Sequence, residues 1–99
     1  MSEWTFVTNH AMVLSFLARS PHITALEVAQ AIGIQERTTR RIIADPEAAG
    51  YVTKKREGRR NRCYVNPGLP LRHQTHHHVA VGQFLEVLGW ERPTGRSQL

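Results

Sequence analysis

Residues 23–65 constrain the fold more than any other stretch of the chain. Two short segments of helical periodicity meet at Gly33, and two strand-like runs follow around an Arg-rich turn. Thr24-Ala25-Leu26-Glu27 has the spacing of a capping box. The threonine hydroxyl there accepts from the backbone N–H of Glu27, and the glutamate carboxylate accepts from the backbone N–H of Thr24. Leu26, Ala29 and either Val28 or Ile32 are expected to form the buried stripe of the helix that starts there. Gly33 is where the chain must turn, since a left-handed conformation costs glycine little. A further helix is expected from Gln35 or Glu36. Ile42 and Ile43 would face inward, leaving Arg37, Thr38, Arg40 and Arg41 to face out.

After that helix, Tyr51–Glu57 reads as a strand with β-branched and aromatic members, Gly58-Arg59-Arg60-Asn61 as turn chemistry, and Arg62–Asn66 as the return strand. Upstream, Met12, Val13, Phe16 and Leu17 fall at helical spacing. They predict a first helix from about Asn9 to Ala18, capped by Thr8 or Asn9 and stopped by Ser20-Pro21. Downstream, Asn66-Pro67-Gly68 ends the hairpin, and Leu69–Thr75, with Pro70 inside it, reads as an extended connector. A last helix is expected from about His76 to Leu88, with Val81, Phe84, Leu85 and Leu88 on one stripe and Gln83 and Glu86 opposite. Gly89 closes it, and the polar segment Glu91–Leu99 is expected to be frayed. The expected fold class is mainly α with a small β-hairpin (α+β). Residues 1–67 form the principal unit, 68–90 the connector and C-terminal helix, and 91–99 a disordered tail.

Charge is distributed unevenly over this plan. Between Gln35 and Arg62 stand nine Lys/Arg and four acids, which accounts for the whole formal net charge of +5, so the rest of the chain is neutral on balance. Cations concentrated on one helix and one hairpin suggest a surface shaped to meet phosphates. The isoelectric point near 10.4 favours an anionic partner, either nucleic acid or an acidic membrane surface. No run reaches the roughly 18 apolar residues that a membrane span needs. Met1-Ser2-Glu3-Trp4 lacks the basic and apolar regions of a signal peptide. A single cysteine, Cys63, excludes an intramolecular disulfide framework and fits a reducing, cytoplasmic setting. Ninety-nine residues suffice for one modest core, which a dimer would help to stabilise.

Helix, glycine turn, helix and basic hairpin together resemble the winged helix-turn-helix of bacterial and archaeal regulators of the MarR and ArsR kind. The resemblance covers about Asn9–Pro67. Ala29 stands where such motifs want a small residue, because two helices approach closely there. Gly33 looks like the turn, with Ile34 and Ile42 as buried flanking positions. Glu36-Arg37-Thr38 followed by Arg40-Arg41 looks like the start of a recognition helix. Ala49-Gly50-Tyr51-Val52 looks like the exit into the wing, and Gly58-Arg59-Arg60 with Tyr64 like its tip and return strand. Two residues depart from the pattern. Thr39 stands where Val or Ile is usual, so looser helix packing is expected. Pro46 stands where a core Leu is usual. Proline inside a helix costs about 3 kcal/mol, so a break or kink is expected near Asp45, with Asp45 capping a fresh short turn.

The resemblance implies a dimeric DNA-binding transcriptional regulator. Gln35, Arg37, Thr38, Arg40 and Arg41 would lie on the helix entering the major groove. Arg59, Arg60 and Arg62 would meet a flanking minor groove or its phosphates. Lys54 and Lys55 point to opposite faces of a strand, so only one of them, taken as Lys54, would touch DNA. Val81, Phe84, Leu85 and Leu88 would form the dimer interface, with Trp4, Phe6 and Trp90 completing the patch. Alternatively, that helix folds back on the first helix of its own chain. His73, His76, His77 and His78 invite a metal reading, but three consecutive histidines point in three directions and neither carboxylate nor cysteine lies nearby. A solvated or pH-sensitive cluster is the plainer account, and no metal or cofactor is expected. Cys63 reads either as a redox thiol or, more plainly, as a small apolar strand residue. No catalytic constellation is present in the sequence, so no enzyme is expected. Two alternatives remain at this level: a winged helix that binds protein within a larger complex, and sequence-neutral DNA packaging.

Overall fold

Two threonines start the first two helices. In α1 (Asn9–Arg19) the Thr8 hydroxyl accepts from the Ala11 N–H at 3.1 Å. In α2 (Ala25–Ile32) the capping box is complete: Glu27 N–H donates to the Thr24 hydroxyl at 3.1 Å, and Thr24 N–H to the Glu27 carboxylate at 2.9 Å. Gly33 ends α2 in the left-handed region, φ 90°, and its N–H and that of Ile34 both close on the Ala29 carbonyl. The chain then enters α3 (Glu36–Ala48), crosses to the antiparallel strands β1 (Val52–Glu57) and β2 (Arg60–Val65), and ends in α4 (Val81–Val87). This computed structural model describes residues 4–93. Four helices and a two-stranded hairpin make a small α+β fold, and among the described residues no helix is long and apolar enough to cross a membrane.

Val13 and Leu17 of α1, Val28 of α2, Ile42 and Ile43 of α3, Val52 and Cys63 of the hairpin, and Val81 and Leu85 of α4 form one core. The stripe of α2 is Val28 and Ala29. Leu26, expected inside, is 47% exposed, since the face of α2 that carries Val28 and Ala29 is the one turned to the core. Thr39 packs without looseness: it is wholly buried, and its hydroxyl donates to the Gln35 carbonyl at 3.1 Å. Satisfying the hydroxyl inside its own helix lets threonine serve where an aliphatic residue would.

The expected break at Asp45 is not found. Helix α3 runs unbroken through Pro46 to Ala48, and the Asp45 carboxylate meets His10 Nε2 at 2.8 Å instead of capping a new turn. Pro46 lies in the last turn, so its missing N–H removes a single internal bond. Beyond it the helix end is closed by the N–H groups of Ala49, Gly50 and Tyr51 on the carbonyls of Asp45, Glu47 and Pro46.

The hairpin turn is also tighter than expected. Glu57 pairs with Arg60 and Arg56 with Asn61, which leaves Gly58 and Arg59 alone as the loop and places Arg60 and Asn61 within β2. Gly58 has φ 63° and Arg59 a negative φ, the pattern of a two-residue loop with glycine first, whose twist matches the strands. The segment between α1 and α2 lies along the other edge of β2, where Cys63 N–H donates to the Pro21 carbonyl at 2.9 Å.

The C-terminal part differs most from expectation. Leu71 N–H bonds to the Val79 carbonyl (2.9 Å) and Val81 N–H to that of Leu69 (2.7 Å), bridging Pro70 to Ala80. That bridge holds Ala80 extended, so α4 starts at Val81 instead of His76, and His73, His76, His77 and His78 sit in the exposed loop between the two bridged residues. Gly82, buried in the first turn of α4, donates its N–H to the Pro67 carbonyl at 3.0 Å. Val81 (2% exposed) and Leu85 (0%) are spent on the core of their own chain, so of the expected dimer stripe only Phe84 and Leu88 keep accessible surface. Of the tail, Arg92 pairs with Glu86 at 3.0 Å, while residues 94–99 lie outside the described residues.

Candidate nucleic-acid interface

Burying Thr39, Ile42 and Ile43 turns the opposite side of α3 outward, and that side carries Arg37, Arg40 and Arg41. Gln35 occupies the N-cap position without capping through its side chain, which leaves the amide free, and Thr38 is half-buried. The three arginines are not equivalent. Arg40 is drawn along the helix to Glu36, one turn back, through two hydrogen bonds of 3.1 and 2.6 Å to the same carboxylate oxygen. Among the described residues Arg37 and Arg41 make no ion pair or side-chain hydrogen bond, so their guanidinium groups keep all their donors for a ligand.

Strand register divides the hairpin cations. Lys54 pairs across the ladder with buried Cys63, on the face turned toward α3, and its ammonium lies 3.7 Å from Glu47. Lys55 pairs with Arg62 on the other face, where both cations lie over the Tyr64 ring, 5.7 and 5.1 Å from its centre. Arg60 donates to the His22 carbonyl at 3.3 Å. Arg59, in the loop, is exposed and unengaged among the described residues. Between the hairpin and α3 a polar cleft of about 310 Å³ brings together Arg40, Lys54, Arg59 and Arg60, closed at one end by His22 and Thr24. Arg62 lies apart from them. It lines a separate depression with Trp90 and Arg92, and its Nε is buried with no partner among the described residues.

His22 is the residue that sequence reasoning missed. It links the α1–α2 segment to the hairpin: its ring lies 3.3 Å from the Glu57 carboxylate and its carbonyl receives Arg60. Tyr64 also donates to Glu57, at 2.8 Å. Hydrogen bonds from Tyr64 and His22 hold the Glu57 carboxyl below the usual range, and the same contact raises the Tyr64 phenol. Glu57 therefore stays ionised, as the acid among the hairpin's cations. No sequence signal separates His22 from the other histidines, because its partners are 35 and 38 positions away.

Two other candidates come to less. Burial pushes the Cys63 thiol up, away from the thiolate that redox chemistry needs. His73 and His76 approach to 6.0 Å between ring centres with Thr75 hydrogen-bonded between them, but no group of three metal-ligating side chains forms among the described residues. Among the described residues, the exposed cations without an acidic partner on α3 and the hairpin loop are Arg37, Arg41 and Arg59. No protein-family model matches the chain, and no curated protein is significantly similar to it.

Proposed function

We propose that the chain binds double-stranded DNA as a winged helix-turn-helix module of a transcriptional regulator, with α3 as the recognition helix and β1–β2 as the wing. The observation that carries this reading is the pair Arg37 and Arg41. Both are exposed on the outward side of α3 and uncommitted to any acid among the described residues, on the helix whose Arg40 shares a cleft with Arg59 and Arg60 of the hairpin. A major groove about 12 Å wide admits one such helix, and arginine pairs in bidentate fashion with guanine. Arg40 and Lys54, held by Glu36 and Glu47, serve better as phosphate contacts than as base readers. Self-association would draw on the accessible apolar groups at Phe84, Val87 and Leu88, and would set two half-sites about 34–36 Å apart. A second reading, a module that binds protein, is favoured by Trp4 and Phe6. They stand 70% and 94% exposed in an edge-to-face pair, as interface aromatics do.

The test is selection of bound duplexes from a random-sequence pool at near-physiological salt. Enrichment of one sequence supports a regulator, and an inverted repeat supports the dimer. Binding without enrichment points to packaging, and no retention moves the basic face to a protein partner. On a selected site, Arg37→Ala or Arg41→Ala should weaken that site more than random DNA. Arg60→Ala should weaken both and flatten the salt slope by about one unit.

A further inference from the structure

Among the described residues, Arg62 alone holds a buried side-chain donor with nothing to bond, its Nε. A buried donor left unmade costs stability, and an incoming acceptor recovers that cost. Arg62 and Tyr64 reach a depression of about 310 Å³ from the hairpin face turned away from α3. Tyr64 and Trp90 supply its aromatic walls, Pro21 and Pro93 flat apolar ones, and Arg92 a second guanidinium. The cations here are seated over rings. Arg62 lies 5.1 Å and Lys55 5.7 Å from the centre of Tyr64, and Arg92 lies 5.5 Å from that of Trp90.

Charge favours an anion on this side. Lys55, Arg60, Arg62 and Arg92 stand against Glu57 and Glu86, and the neighbouring depression beyond Trp90 adds one of each, Arg19 and Glu91. Five cations against three acids leave an excess of two, and neither Lys55 nor Arg62 pairs with an acid among the described residues. Aromatic walls interleaved with such cations suit an unpaired nucleotide, with ring faces for the base and positive charge for the phosphates. An apolar cavity of about 150 Å³ already holds benzene, so this one admits a single base, whereas a duplex keeps its bases stacked inside.

We propose that this depression is a binding site for single-stranded nucleic acid, with one base among Tyr64, Trp90 and the Arg62 guanidinium and the flanking phosphates on Lys55 and Arg92. An acidic peptide would answer the same cations but leave the ring faces bare. The site uses neither Arg37 nor Arg41, so it stands apart from the duplex reading and survives its failure.

The test uses the full chain carrying Trp4→Phe, which leaves Trp90 as its one indole. An oligothymidylate of about 12 nucleotides and a duplex of the same length are added in turn while Trp90 fluorescence is followed. The single strand should quench it saturably, and the duplex should not. Tyr64→Leu and Arg62→Gln should each weaken the single strand about tenfold, while Tyr64→Phe keeps the ring and the affinity. Lys55→Gln, an exposed change harmless to folding, should flatten the single-strand salt slope by about 0.7 unit, the value for one phosphate contact. Arg37→Ala combined with Arg41→Ala should leave the quenching as it was. No saturable quenching, or equal quenching by the duplex, would overturn the site. So would an affinity that falls with Arg37 and Arg41 and ignores Lys55 and Tyr64, since the strand would then lie on α3.

Discussion

Helices α2 and α4 are nearly the same length, eight and seven residues, but different forces set their ends. The ends of α2 are fixed by groups within its own stretch of chain: the Thr24–Glu27 box at one end and left-handed Gly33 at the other. The start of α4 has one local hydrogen bond, from the Ala80 N–H to the Gln83 side chain at 3.0 Å, and is otherwise held by residues ten or more positions away, through Val81 to Leu69, Gly82 to Pro67, and the bridge from Pro70 to Ala80. Local hydrogen bonds define a helix wherever its segment goes, whereas long-range ones define it only once the chain has folded. If that contrast is right, α4 should be sensitive to packing and α2 to its caps.

The largest effect is expected at Leu85. It has no exposed surface, and Leu85→Ala should cost roughly 2–5 kcal/mol in urea unfolding. Val87 sits in the same helix at 84% exposed, and Val87→Ala should change stability by less than about 0.5 kcal/mol. Both melts should be independent of protein concentration if α4 is packed mainly on its own chain. A concentration-dependent midpoint, or a large loss at Val87, would show that the self-association proposed for the accessible groups of α4 contributes to its stability.

Gly82→Ala and Gly33→Ala separate the two kinds of helix end with the same added methyl group. At Gly82 a Cβ would sit 2.6 Å from the Pro67 Cβ, so the first turn of α4 must back away. About 1–3 kcal/mol should be lost there, outweighing the better helix propensity of alanine. At Gly33 a Cβ meets nothing within 4 Å, and the cost comes from φ 90° alone, about 1–2 kcal/mol. Gly33→Asn should recover part of that loss because asparagine tolerates the left-handed region, while Gly82→Asn should be worse than Gly82→Ala. Recovery at both sites would show that the contact with Pro67 carries no weight.

Pro46 tests how far a local rule can be overridden. The cost of proline in α3 is confined to one missing bond near the helix end. Pro46→Ala should therefore raise stability by about 1–2 kcal/mol, less than the roughly 3 kcal/mol of a mid-helix proline, since the freer unfolded chain takes some of it back. A loss of stability would mean that the proline ring contributes packing beside Tyr51 and Phe84 that outweighs the backbone penalty.

What the sequence made legible follows the same division. The starts of α1, α2 and α3, the turn at Gly33 and the outward set Arg37 and Arg41 all depend on neighbours within about one helical turn, and each was readable. The pairing of Arg40 with Glu36 is of the same short range, and its spacing of four residues was there to be seen. The salt bridge from Lys54 to Glu47, the link from His22 to the hairpin, and the unpartnered Arg62 Nε required knowing how α3, β1 and the α1–α2 segment stack. In α4 the spacing marks an apolar stripe expected to meet a second subunit, and its Val81 and Leu85 are buried while Phe84 and Leu88 keep accessible surface. Periodicity says that a face is covered but not by what, and here the cover is the chain's own core.

The smallest effect, at Thr24, is the sharpest test of the local end of the contrast. Thr24→Ala removes one half of the capping box and should cost about 1 kcal/mol near neutral pH. The other half leaves a signature in pH. The backbone N–H and hydroxyl of Thr24 hold the Glu27 carboxyl below its ordinary value. A carboxyl whose folded pKa is depressed contributes stability above its unfolded value, about 4.3, and loses it as pH falls through the lower folded value. The alanine variant keeps the backbone N–H and loses the hydroxyl, so its acid limb below about pH 4.3 should be shallower than that of the unmodified chain but not flat. Glu27→Gln should remove the Glu27 part of that limb altogether. Parallel acid limbs in all three proteins would mean that Glu27 contributes nothing to holding the start of α2. The Thr24 hydroxyl and the turn at Gly33 would then be the local devices left to fix that helix, and the start of α2 would be held by half a capping box.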